Sequence, residues 1–256
     1  MRFRVLITIS VLFLATRAGM TQTTPLRVLA SNGMKAVVQE LQPRLEREVG
    51  RSLNIEFNTS TATRQRIESG EAFDVVILTT EIVKELSKGG KIASGSVVDL
   101  GRSGIGFGVR STAPKPDVRT PEAVKQTLLS AKSLTWVSAG ASSVHIDRMI
   151  ESLGITSQLK SKIVLTKNVD ESLAAVVAGK TEMIITLTSE ILPAKGVQYV
   201  GPLPDKFQNY VAFSGGVSPK SSAVTASTLL VKSLAAPSVA RTYESKGMEL
   251  PIAGNK

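Results

Sequence analysis

Leu26-Arg27-Val28-Leu29-Ala30-Ser31-Asn32-Gly33 runs from an apolar, β-like segment straight into a polar corner. Met34, Val37, Val38, Leu41, Leu45 and Val49 then recur at helical spacing. A strand that feeds a helix in this way is the unit from which parallel sheets are built. Pro43 is expected to break the helix or to begin a second one, and Gly50 to end it.

The same unit repeats outward from this stretch. Leu53, Ile55 and Phe57 alternate as a half-buried strand, and Ser60 and Thr61 stand where a helix cap is needed before Ile67. Val75–Leu78 is the short continuous apolar run that a sheet buries on both faces, followed by a helix over 81–88. Further on, Ile105–Val109 reads as a strand, and Thr120-Pro121-Glu122 opens a helix. Leu134–Val137, Ile163–Leu165 and Met183–Leu187 read as strands, with helices after Ser142-Ser143 and Asn168-Val169. Two helices, near 223–234 and 238–246, close the chain. Alternation of this kind means α/β with mostly parallel sheets flanked by helices, and two βα series of similar size predict two lobes.

Residues 1–24 read differently. Arg2 and Arg4 precede the apolar run Val5–Leu14, and small residues around Ala18 follow. The run is too short for a bilayer span, so it reads as a signal peptide and short leader, cleaved after Ala18. No cysteine follows to carry a lipid. The protein is expected to be periplasmic or secreted.

Among 256 residues there is no cysteine and one histidine. Disulfides, thiolate catalysis, cysteine-ligated zinc and multi-histidine metal sites are thereby excluded; neither metal nor cofactor is expected. Removing Arg2, Arg4 and Arg17 from the 31 basic residues leaves 28 against 21 acidic ones, a net charge of +7 in place of +10. The basic residues are scattered singly, with no basic run interleaved with aromatics, which argues against a nucleic-acid partner.

The strand-to-helix junctions are the candidates for chemistry. Ser31-Asn32-Gly33, Ser60-Thr61, Ser142-Ser143 and Asn168-Val169 each place a hydroxyl or amide beside unpaired backbone N–H groups at a helix start. Such corners hold anions without a formal cation, and they lie at the carboxyl ends of strands, where open α/β sheets bind ligands. Each also fits an ordinary helix cap. Gly104-Ile105-Gly106-Phe107-Gly108 has its glycines inside a strand and not before a helix, so it reads as a glycine-relieved crossover strand and not a dinucleotide loop. Ser142 and His145, three apart on one helix, are the only elements of a serine hydrolase; no G-x-S-x-G elbow accompanies them. Asp147 and Glu151 read as a solvated face.

In order and spacing, Leu29-Ala30-Ser31-Asn32-Gly33, Ser60-Thr61, Arg66–Glu71 with Phe73-Asp74-Val75, Gly140-Ala141-Ser142, Asn168-Val169 and Ser189-Glu190-Ile191-Leu192-Pro193 resemble the molybdate-type substrate-binding proteins of bacterial ABC transporters. The stretch from Ser233 to Met248 resembles the last two helices of that family. The resemblance implies a two-lobed class II periplasmic-binding-protein fold, with lobe 1 over 25–108 and 209–256, lobe 2 over 109–208, and crossings near Gly106–Val109 and Leu203–Val211. It implies an oxyanion held by neutral donors at Ser31, Asn32, Ser60 or Thr61, Ser142 and Val169. Leu187 stands where the family has a ligand-contacting Tyr, and the family's Asp-Pro before Gly140 is missing. The expected function is capture of a small molybdate- or tungstate-like anion and its delivery to a membrane ABC permease, without catalysis and as a monomer. An organic acid as ligand, or a secreted serine hydrolase, are the alternatives.

Overall fold

The computed structural model describes residues 24–251; the signal peptide expected over 1–24 therefore lies, except for Thr24, outside the described residues. The chain starts with β1 (Leu26–Ser31), a 3-10 turn (Asn32–Met34), α1 (Lys35–Val49), β2 (Leu53–Asn58), α2 (Ser60–Glu68), β3 (Val75–Thr79), α3 (Thr80–Lys88) and the long β4 (Val98–Arg110). It continues through α4 (Pro121–Ser130), β5 (Leu134–Val137), α5 (Ser143–Ser152), α6 (Thr156–Leu159), β6 (Ile163–Thr166), α7 (Val169–Val177), β7 (Met183–Leu187) and α8 (Thr188–Ile191). Then come β8 (Val197–Pro202), β9 (Tyr210–Val217), α9 (Val224–Leu234), α10 (Ala240–Ser245) and β10 (Met248–Glu249).

The strands run in the order β2-β1-β3-β9-β4-β7-β5-β6. β1 lies parallel to β2 and β3, and β5 parallel to β6 and β7, as βα units require. The connecting strands are antiparallel. β9 pairs with β3 and with the first half of β4, as far as Gly104. From Ile105 onward β4 turns to β7, and from Gly106 also to β8. β4 thus changes partners between Gly104 and Ile105. The return follows β8 and ends where β9 begins at Tyr210. A Cβ on Gly106 would come within 2.6 Å of the Tyr199 ring and 2.8 Å of the Gly201 carbonyl, which explains glycine in a fully paired strand.

Alternation along β3 explains its unbroken apolar run. Val75 and Ile77 join one large cluster with Val28, Val37, Leu45, Phe213 and Leu187. Val76 and Leu78 face the opposite way, onto Leu29, Ile67, Val83 and Leu86. A third cluster, Val137, Val169, Val176, Ile184 and Ile191, backs the second sheet.

Two local expectations are corrected. Pro43 sits inside an uninterrupted α1: its ring faces solvent, and burial of Val37, Val38, Leu41 and Leu45 on both sides outweighs the roughly 3 kcal/mol an interior proline costs. The cap of α2 is Thr59 and not Ser60 or Thr61; the Thr59 hydroxyl accepts from the Ala62 N–H at 3.2 Å.

Candidate functional site

Because β1 and β2 run parallel, as do β5 and β7, their carboxyl ends bring the polar corners after them to one place. Ser31, Asn32, Thr59, Ser60, Val137, Gly140, Ala141, Ser142, Val169, Thr186, Leu187 and Glu190 enclose a cavity of about 20 Å³, room for about one water. All of the expected ligand positions except Thr61 line it. Thr61 is exposed and lines an outer compartment of about 450 Å³, which shares Ser60, Gly140 and Ala141 with the inner cavity.

The junctions differ in what their side chains do. Ser31 and Ser142 are buried, at 3% and 4% exposure, yet neither caps the helix it precedes. Their hydroxyls therefore reach the cavity without a capping duty, unlike Asn168, whose side chain accepts from the Glu171 N–H at 2.9 Å. The Ser60 hydroxyl accepts from the Thr79 N–H at 3.1 Å and can still donate. α2, α5 and α7 all begin at the cavity wall, aiming unpaired N–H groups and partial positive charge inward.

Leu187 borders the wall, and its side chain packs in the core close to Gly33 and Phe213. Gly33 leaves no room for a side chain, since a Cβ would lie 2.5 Å from Phe213 and 2.8 Å from Leu187. The Ser189 hydroxyl donates to the Gly33 carbonyl at 2.8 Å.

Glu190, which falls within the family-like stretch Ser189–Pro193 but not among the expected ligand positions, also lines the cavity. The single-turn α8 starts directly after β7, and this brings the carboxyl back to the cavity beside Thr186, whose hydroxyl donates to it. Burial raises its pKa to about 7, with the Thr186 hydroxyl and the Leu187 backbone pulling the other way. Lys35 and Asp170 lie just behind it, around a side pocket of about 170 Å³. Among the described residues, no Lys or Arg lines the enclosed cavity itself.

The hydrolase arrangement is not formed. The His145 ring stands in the outer compartment against Asn209, whose Nδ2 lies 2.6 Å from Nδ1, while Ser142 faces the inner cavity. Burial, and secondarily Arg148, hold the His145 pKa below its ordinary value, against an opposing pull from Glu81. Among the described residues no group of three or more His, Asp or Glu side chains is placed to hold a metal ion, and no helix is long and apolar enough to cross a membrane.

Two sheets share one long strand, and helix N-termini from both converge on one polar cavity. The chain belongs to the bacterial extracellular solute-binding protein family, whose model matches residues 26–249. Aconitate isomerase of a Pseudomonas species is 31% identical over 234 residues, covering 88% of each chain. Among solved structures, the periplasmic molybdate-binding protein of Azotobacter vinelandii superposes with a TM-score of 0.76 at 14% identity, over 89% of this chain and 100% of that one. The sulfate-binding protein of Mycobacterium tuberculosis H37Rv gives 0.73 at 16% identity, over 90% and 88%. These likenesses show the two-lobed periplasmic-binding-protein fold.

Proposed function

We propose that this protein captures a small organic anion bearing more than one carboxylate and delivers it to an ABC permease. The observation that carries this reading is the pairing of a tight inner cavity with a larger outer compartment across Ser60, Gly140 and Ala141. One carboxylate points an oxygen into the inner cavity, among Ser31, Asn32, Ser60, Ser142 and the N–H groups around Val169. The remaining skeleton extends outward past Thr61. Leu187 packs and offers no donor, so a compact oxyanion finds fewer partners here than the family resemblance implies. The relative named for aconitate, a tricarboxylate, supports the same ligand class.

Lobe 1 comprises 25–108 and 209–256 and lobe 2 comprises 109–208, a division supported by the change of pairing after Gly104 and the start of β9 at Tyr210. The protein works outside the cytoplasm as a monomer, with 1–24 as its export signal. Calorimetry with cis- and trans-aconitate, citrate, molybdate, tungstate and sulfate tests the ligand class. Tighter binding of a polycarboxylate than of every tetrahedral anion is the expected result; the reverse order returns the reading to molybdate.

A second reading is favoured by the aconitate isomerase relative, which matches this chain over 88% of both lengths: the cleft converts the acid it holds. Incubation with either aconitate isomer, followed by NMR of the solution, decides whether any turnover occurs.

A further inference from the structure

We infer that Glu190 is a ligand-binding residue that acts in its protonated form, donating its O–H to the captured anion, so that anion capture is coupled to proton uptake. The inference rests on the anion-binding reading of the cleft, and it holds for a carboxylate or a tetrahedral ligand alike.

Among the described residues, Glu190 is the only ionisable side chain in the wall of the inner cavity, and no Lys or Arg shares that wall. Two charged groups face it from elsewhere, Asp170 from α7 and Lys35 from α1. These are paired to each other at 3.1 Å, so they bring almost no net charge to the carboxyl. An anion seated among Ser31, Ser60 and Ser142 therefore meets a second negative group with no cation to compensate it. In an enclosed space two such charges do not both persist, and the cheapest relief is a proton on one of them. Burial has already moved Glu190 to about 7, so it is the group that takes the proton.

The neutral carboxyl then gains a function. Carboxylate oxygens only accept, whereas a carboxylic acid has one O–H to give, and an O–H donated to an anion is among the stronger hydrogen bonds. The Thr186 hydroxyl donates to the Glu190 carboxyl, which fixes its orientation and leaves its own proton free for the ligand. Glu190 thereby supplies, beside Leu187, a donor that Leu187 lacks.

Calorimetric titration of the full protein in two buffers of different ionisation enthalpy, HEPES and Tris, measures the proton uptake directly, with trans-aconitate and molybdate as probes. At pH 8 uptake should approach one proton per bound anion, and at pH 6 it should be a small fraction. Above pH 7 affinity should fall about tenfold per pH unit, since one proton is required. Glu190→Gln, whose amide N–H replaces the O–H, should still bind, with no proton uptake from this site and a flat affinity between pH 7 and 9. Binding by the wild type at pH 8 without proton uptake overturns the inference, as does unchanged uptake in Glu190→Gln. If only molybdate binds, the polycarboxylate reading falls while uptake with molybdate still decides the role of Glu190. Binding of neither anion overturns both.

Discussion

The Lys35 ammonium, on the first residue of α1, lies 3.1 Å from a carboxylate oxygen of Asp170 in the first turn of α7, an ion pair that ties the β1 side of the cleft to the β5 side. A cation at a helix N-terminus is unfavourably placed against the helix dipole, and the opposing carboxylate offsets that cost. This pair holds the two halves together in the arrangement described, and both side chains are partly or largely exposed. Lys35→Met should weaken anion binding and Asp170→Asn, which leaves the ammonium unpaired, should strengthen it, each by about 0.2–1 kcal/mol, at most about fivefold. Titrations at low salt and at 0.5 M salt check this: wild type and variants should converge as screening rises. A loss that persists at high salt would point to a role beyond the ion pair.

Ser31→Ala and Ser142→Ala should each lose about 1.5–3 kcal/mol of anion affinity, the worth of one hydrogen bond to a charged group. Because neither hydroxyl caps a helix, thermal stability without ligand should hardly change. Thr61→Ala, exposed in the outer compartment, should cost clearly less. Equal losses at Ser31 and Thr61 in calorimetry would move the ligand outward from the inner cavity.

Glu190 titrates at about 7 in the folded protein, against 4.5 for an ordinary glutamate. Between these values the folded state holds the proton more tightly than the unfolded chain does. Stability contributed below pH 4.5 is therefore lost as pH rises through 7, by about 3 kcal/mol. Urea unfolding of the ligand-free protein at pH 5 and pH 8 measures the loss. Glu190→Gln should remove that component, leaving the variant more stable than wild type at pH 8; a variant with the wild-type pH slope would refute the assignment.

Gly33→Ala should destabilise by about 1–3 kcal/mol, because the new methyl meets the buried Phe213 ring and Leu187 with no room to yield. A fall in Tm of about 2–4 °C per kcal/mol is the expected readout. Affinity should fall as well, since the Gly33 carbonyl accepts the Ser189 hydroxyl across the cleft.

Sequence by itself determined the βα units and most of the polar corners. Apolar periodicity, Thr120-Pro121 and the capping Asn168 are local signals, and local geometry obeys them. That Ser31, Ser60 and Ser142 come together at one cavity was legible because parallel strands must deliver their carboxyl ends to one side of a sheet. Pairing of β4 with β9 and then with β7 and β8 was not legible, since partner choice among antiparallel strands depends on residues a hundred positions apart. Pro43 kept its place in α1 because buried contacts on either side outweigh a local preference. Glu190 shows the division most clearly. In sequence it is one acidic residue after Thr188-Ser189; only the tertiary structure, by turning the chain through a single helical turn after β7, desolvates its carboxyl and sets it in the wall of a polar cavity that, among the described residues, no Lys or Arg lines. Its altered proton affinity comes from that desolvation, a property of the surroundings that no residue carries on its own.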